Sequence, residues 1–163
     1  MTESFERILL DEYPLPIAHE YQELIALQQS SSSGWGSKAR QLRSVFEFAL
    51  RYCTVIALSQ YCLERQHALV STDRFIAKNI AEPEIHICIE IMRQISESYL
   101  RPENVFMPEL VSFCVTPDGG IAEGLHLATR LNRFCSQQAS TPLANENRFK
   151  SLYEDNIGLT REL

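Results

Sequence analysis

Residues 38–64 read KARQLRSVFEFALRYCTVIALSQYCLE, and this stretch decides the predicted fold. Between Val45 and Leu58, apolar side chains fall on nearly every side of a helix. A narrow polar stripe follows one helical face at spacings of three and four residues: Arg40, Arg43, Glu47, Arg51 and Thr54. A helix this apolar needs other helices around it to remove its surface from water. We therefore predict an all-α fold, a single-domain bundle (residues 1–163) of about five to seven helices around this long central helix.

Helical patterns also precede the central helix. Residues 1–13 form a short amphipathic segment with Phe5, Ile8, Leu9 and Tyr13 on one side. Pro16 suits the first turn of the next helix, which runs to about Gln29, because the missing N–H of proline has no helical partner there.

Residues 30–37 read SSSSGWGS, and this composition is typical of a flexible loop between two helices. Trp35 is unusual in such a loop. It either folds back onto the core of its own chain as an anchor or contacts a partner protein.

Residues 85–91 carry conflicting signals. Isoleucine alternates with other residues, which is the pattern of a strand. Cys88, Met92, Ile95 and Tyr99 instead continue a helical stripe, and no second strand is predicted that would pair with a first one. We therefore expect a helix that opens near Pro83.

The C-terminal part begins with a turn at residues 117–120, PDGG. An amphipathic helix is predicted from Ile121 to about Gln138, and Pro142 stops it. The terminal segment, residues 140–163, starts a further helix near Asn145. Its abrupt end suggests an N-terminal module that leads into a further domain of a longer polypeptide.

Charge and cysteine content exclude several classes of protein. The net charge of −6 argues against nucleic acid as a partner, because affinity for nucleic acid depends mostly on lysine and arginine neutralising phosphates. The five cysteines are odd in number and lie among apolar neighbours, as buried free thiols do. Without a signal peptide or an apolar run of about 18 residues, we expect a cytoplasmic protein with no membrane segment.

No catalytic or metal-binding constellation is visible in the sequence. His86 and Cys88 are the closest pair of soft ligands, but residues two apart point to different faces of a helix. Cys135 and His126 belong to one predicted helix and lie about 13 Å apart along its axis. We therefore expect no enzyme activity, no metal and no cofactor.

Four segments carry a resemblance to a known group. They are Leu15-Pro16-Ile17-Ala18, residues 46–61, Asp118-Gly119-Gly120 and Leu131-Asn132-Arg133-Phe134. In this order they resemble the helical modules at the N-termini of bacterial multidomain signalling and defence proteins, which are related to the HEPN group. In ribonucleases of that group, an arginine on the last of these helices is followed within a few positions by histidine. Arg133 has no histidine after it, so the resemblance implies a non-catalytic dimerising or ligand-sensing descendant.

The first functional hypothesis is accordingly a non-catalytic interaction or regulatory module that binds a protein partner or forms a homodimer. Trp35, Tyr13 and Tyr153 support it as aromatic residues outside obvious core positions. The candidate binding residues are Arg43, Glu47, Arg51, Asn132, Arg133 and Trp35.

Three alternatives remain open. In the first alternative, the polar stripe of the central helix is only a solvated face with a Glu47–Arg51 ion pair. In the second alternative, the protein is a degenerate HEPN-type ribonuclease that uses Arg133 and Asn132, with Gln137 or Gln138 in place of histidine. In the third alternative, the protein is a small-molecule or pigment sensor with cysteine or histidine attachment points. Its pocket would lie between helices, beside the central one.

Overall fold

A computed structural model of the chain describes residues 14–63, 69–81, 83–99 and 108–161. Within these ranges the fold is helical and holds no β-strand, so the all-α prediction is confirmed. The amphipathic segment predicted for residues 1–13 lies outside the described residues. In chain order the elements are α1 (Leu15–Gln29), α2 (Trp35–Leu63), α3 (Val70–Asn79), α4 (Ile85–Ser98), α5 (Pro108–Cys114), α6 (Glu123–Ser140), α7 (Glu146–Asn156) and a terminal 3₁₀ helix (Ile157–Arg161).

The chain packs as two compact units. Of the described residues, the first unit contains those up to Ala49 together with those from Arg133 onward, and the second unit contains those from Leu50 to Asn132. Helix α2, 29 residues long, contributes its first half to one unit and its second half to the other.

Apolar side chains from four helices fill the first unit. Phe46 of α2 meets Phe134 of α6 edge to face, with ring centroids 5.5 Å apart. Such a pair adds about 0.5–1.5 kcal/mol to the free energy gained from area burial alone. Leu24 of α1 and Phe149 of α7 are also fully buried. Two cross-links reinforce this packing: Gln28 of α1 donates to the hydroxyl of Tyr153 at 2.6 Å, and Gln41 of α2 donates to the carboxylate of Glu20 at 2.7 Å.

Helix α4 settles the conflict over residues 85–91 in favour of the helix. Cys88, Ile91, Met92 and Ile95 are all buried in the second unit, at the three- and four-residue spacing of one helical face. The alternating isoleucines are compatible with this arrangement because Ile87 and Ile89 lie at the half-buried margins of that face.

A tight reversal joins α5 to α6 in the second unit. Gly119 adopts a φ of 83°, a left-handed conformation that glycine accepts without steric cost, and its N–H donates to the carbonyl of Thr116. Val115 and Ile121 flank the reversal as an isolated antiparallel bridge. The predicted start of α6 at Ile121 is therefore wrong by two residues. Gly124 follows in the first turn of α6, and a Cβ atom there would lie 2.4 Å from the carbonyl oxygen of Phe113.

The structure corrects the prediction for α2 in two respects. The helix begins at Trp35, so Trp35, Gly36 and Ser37 belong to the helix and not to the predicted loop. Thr54 is buried and does not belong to a solvated stripe, because its hydroxyl donates to the carbonyl oxygen of Leu50 at 2.8 Å. This bond to the preceding turn satisfies the hydroxyl without water.

Part of the apolar surface of α2 stays exposed. In the second unit Tyr52 is 39% exposed and Val55 is 59% exposed, and Leu63 is more exposed still. None of the helices in the described ranges is both long enough and apolar enough to cross a bilayer.

Candidate functional site

The predicted polar stripe leads to a cleft in the first unit. Helix α2 supplies Arg40, Arg43, Ser44 and Glu47 to its wall, and Gln138 of α6 faces them. The cleft has a volume of about 470 Å³, within the range of about 300–1,000 Å³ that is typical of small-molecule sites. We call this space, lined by these residues of α2 and α6, the cleft.

Arg43 organises the polar wall of the cleft. Its Nε donates to Oε1 of Glu47 at 2.7 Å, and its Nη1 donates to Oε1 of Gln138 at 3.2 Å. The ion pair that forms on this stripe is therefore Arg43–Glu47, and Arg51, the predicted partner of Glu47, is an exposed side chain with no ion pair among the described residues. Two bonds on different nitrogens fix the plane of the Arg43 guanidinium.

A buried thiol lies beside this wall. The pKa of Cys135 is raised to about 12, chiefly by burial and also by the negative charge of Glu47, against the opposing effect of Arg43. Cys114 in the second unit has a pKa raised to about 11, chiefly by burial, and burial also raises the pKa of Cys53. Since the thiolate is the nucleophile, none of these three side chains is prepared for covalent chemistry.

Trp35 lies at a second polar cluster, at the start of α2. Its ring packs against Tyr153 of α7 with the centroids 5.8 Å apart, and the ammonium groups of Lys38 and Lys150 lie 5.0 and 5.5 Å from the ring centroid. Of the two predicted interpretations of Trp35, this contact is the intramolecular one. Tyr153 was predicted to lie outside the core, which is wrong, because it is 6% exposed.

A carboxylate from α7 caps the start of α2. Oε2 of Glu146 accepts from the backbone N–H of Trp35 at 2.7 Å and, at a longer 3.4 Å, from that of Gly36. These are two of the N–H groups that have no partner inside the helix. Glu146 also occupies the first turn of its own helix, so one negative charge lies at the positive ends of two helix dipoles.

The glycines on either side of Trp35 make room for this cap. A Cβ atom at Gly34 would lie 3.1 Å from Oε1 of Glu146, and one at Gly36 would lie 3.3 Å from the ring of Phe149. The Gly34-Trp35-Gly36 motif is thus explained by close packing of α2 against α7.

The remaining sequence-predicted residues lie apart from the cleft wall. Arg51 and Arg133 are exposed, and Asn132 is half-buried. Gln138, which the ribonuclease alternative places in a catalytic role, is 5% exposed and bonded to Arg43. No group of three or more histidine, cysteine, aspartate or glutamate side chains arranged to hold a metal ion occurs in the described part of the chain.

Sequence reasoning missed Ser44 and Glu146, and it named Gln138 only as a replacement for histidine in the ribonuclease alternative. Ser44 and Gln138 give no signal of their own, since single polar residues at helical spacing are ordinary. The acid of Asn145-Glu146 marks the start of α7, but nothing in the sequence relates it to Trp35, which is 111 residues away. No family model matches the chain, and no match is found among curated proteins or solved structures.

Proposed function

We propose that this chain is a non-catalytic helical interaction module of the bacterial cytoplasm that forms a homodimer through the exposed face of α2. That face consists of Tyr52, Val55, Ser59 and Cys62, with Leu63 at its edge. All five side chains are exposed. This open face, apolar at Tyr52, Val55 and Leu63, is the observation that carries the proposal.

The spacing of the face indicates what covers it. Positions 52, 55, 59 and 62 follow one another at intervals of three, four and three residues, which is the seam of a two-helix coiled coil. A seam of this kind is complementary to a copy of itself, and isologous contacts of this sort close most soluble homodimers. A second copy of the same chain is therefore the occupant that we propose.

The energetics favour covering the face over leaving it in water. Val55 alone keeps 59% of its surface exposed, and fully burying a side chain of its size contributes about 1.5–3 kcal/mol. Most surface residues of this size occur singly, whereas a row along one helix is typical of a protein contact. The raised pKa values of Cys53, Cys114 and Cys135 support the non-catalytic part of the proposal.

The weak resemblance to HEPN-like modules suggests the setting. Modules of that kind lie within larger signalling and defence proteins, and self-association through α2 would bring two such polypeptides together. In this setting the module serves as an input or assembly domain.

The test is the molar mass in solution. Light scattering coupled to gel filtration, at about 50 µM and under reducing conditions, should give twice the 18.7 kDa of one chain. Val55→Glu should give the mass of one chain, because a charge inside a helix seam costs several kcal/mol. Its thermal stability should equal that of the wild-type monomer, since the position is exposed.

Ile121→Glu is the matched control. Ile121 is 61% exposed, close to the 59% of Val55, and it lies in the turn before α6 and not on the α2 face. It should leave the dimer intact. A wild-type mass equal to one chain at this concentration refutes the proposal, and dissociation by both substitutions refutes the assignment to α2.

A further inference from the structure

We propose that the cleft of the first unit binds a small organic oxyanion, a carboxylate or a phosphate ester with an apolar body. The inference is independent of the proposed dimer, because the cleft and the α2 face share no residue. It depends on the hydrogen-bonding groups that line the cleft.

The orientation of Gln138 is the central observation. Arginine can only donate, so the atom of Gln138 that faces Arg43 must be the carboxamide oxygen. The amide NH₂ group therefore points away from Arg43, and it has no acceptor among the described residues, although the residue is 95% buried. Gln138 lines the cleft, so this amide can donate to a ligand bound there.

Other donors in the cleft are also unused. Nη2 of Arg43 takes no part in its bonds to Glu47 and Gln138. The guanidinium of Arg40 makes only a long 3.4 Å contact to the hydroxyl of Ser37, with no carboxylate partner in the described residues. Ser44 of α2 also lines the cleft, and its hydroxyl has no hydrogen-bond partner among the described residues.

The charge balance matches an anion. Two guanidinium groups and one carboxylate line the cleft, and Glu47 is already neutralised by Arg43. One positive charge, that of Arg40, is left over. Arginine with its planar set of donors is the residue best suited to bind carboxylate and phosphate groups.

A helix C-terminus carries partial negative charge, so uncovered carbonyls at the end of α6 would repel an anion. Hydroxyl and backbone donors already cover two carbonyls of its last turn. The backbone carbonyl oxygen of Gln137 accepts from the hydroxyls of Ser140 and Thr141 at 3.1 and 2.8 Å. The backbone carbonyl oxygen of Gln138 accepts from the N–H of Thr141 at 3.3 Å.

The rest of the cleft lining is apolar except for Thr141, and it determines the kind of ligand. The ring of Phe149 and the side chains of Ala139 and Leu143 form its other side. Inorganic phosphate would leave this surface uncovered. A molecule that pairs an oxyanion with an aromatic or aliphatic body would contact both sides.

The test uses phenyl phosphate and benzoate as probes, with phenol as the neutral control. Titration followed by ¹⁵N-correlated NMR should show saturable shifts of the Gln138 side-chain amide and the Ser44 backbone amide. For probes of this size a Kd of roughly 1 mM is expected. The stronger of the two probes identifies the anion as phosphate or carboxylate, and phenol should not saturate.

Two variants locate the site. Arg40→Gln, at an exposed position, should weaken binding about tenfold, the usual effect of losing one bond to a charged group. Gln138→Glu keeps the oxygen that accepts from Arg43 and replaces the amide donor with a carboxylate oxygen, so binding should be lost. Arg148→Gln removes the same charge from an exposed position outside the cleft and should change Kd less than twofold.

The inference is overturned if the wild-type chain binds neither probe at about 10 mM, ten times the expected Kd. Equal affinity for phenol and phenyl phosphate also overturns it, as does an Arg40→Gln variant with the wild-type Kd. Because Arg40→Gln affects no buried group, it remains informative if Gln138→Glu fails to fold. The α2 variant Val55→Glu should bind the probes normally, which separates a failure here from a failure of the dimer.

Discussion

Removing the carboxylate of Glu146 should destabilise the first unit more than an exposed side chain normally does. Glu146→Ala removes the acceptor for the Trp35 N–H at 2.7 Å and weakens two helix starts at once. Loss of a helix cap costs about 1 kcal/mol. Loss of a negative charge near a helix N-terminus costs about 0.5 kcal/mol at each of the two helices. The expected loss is therefore about 2 kcal/mol, or roughly 4–8 °C in Tm for a chain of this length.

Trp35 is the only tryptophan of the chain and lies at the cap itself, so its fluorescence reports on this region directly. Urea unfolding followed at this fluorophore should show a lower midpoint with an unchanged slope. Glu146→Gln keeps an oxygen acceptor and loses the charge, so it should recover about half of the stability. Amide exchange of residues 35–38 should accelerate in the alanine variant.

Glu154→Gln is the control for this prediction. Glu154 lies on the same helix, is exposed, and pairs with Lys150 only at 3.8 Å. Such pairs contribute about 0.5 kcal/mol at most. If Glu146→Ala lies within that margin of the wild type, the carboxylate does not cap α2 and the reasoning is refuted.

Two further predictions concern glycines and thiols. Gly124→Ala should lower Tm by more than 10 °C or prevent folding, because its Cβ would lie 2.4 Å from a backbone oxygen. Gly158→Ala should raise stability by about 0.4–1 kcal/mol, because no atom lies within 4 Å of the added Cβ. Calorimetry of both variants measures the two effects, and equal effects would contradict the packing. The raised pKa values of Cys114 and Cys135, about 11 and about 12 against 9.0 for a free thiol, mean that the unfolded chain loses these protons first as pH rises. Their contribution to stability is thus complete below pH 9 and falls between pH 9 and 12, by up to about 1.4 kcal/mol per pH unit for each thiol. Denaturant titrations of reduced protein should show this decline, and Cys135→Ala should make it shallower; an unchanged slope would contradict the role of Cys135.

Helix positions were predictable from sequence because local patterns determine them. The buried set Cys88, Met92 and Ile95 identified α4 despite the alternating isoleucines, since a helix needs no distant partner to satisfy its backbone. The start of α2 was not predictable. Its cap comes from Glu146, and the sequence around Trp35 reads as a loop until that distant carboxylate is in place.

The site was less predictable than the fold. Arg43 and Glu47 were identified as a charged pair of positions, but the partner of Glu47 and the role of Gln138 depend on how α6 packs against α2. The apolar pattern of α2 likewise shows how much surface needs covering. It does not show that Tyr52 and Val55 are left uncovered within one chain.

The split composition of the first unit affects how the protein is made. Leu24 and Phe46 leave the ribosome early, but Phe134 and Phe149 of the same unit follow only after the whole second unit has been synthesised, on the order of 10 s later. During that interval Phe46 lacks the ring of Phe134 against which it packs in the folded unit. Chaperones that bind emerging polypeptides would have their target in this early segment, and a slow-translating stretch of codons after Asn132 would prolong the exposure.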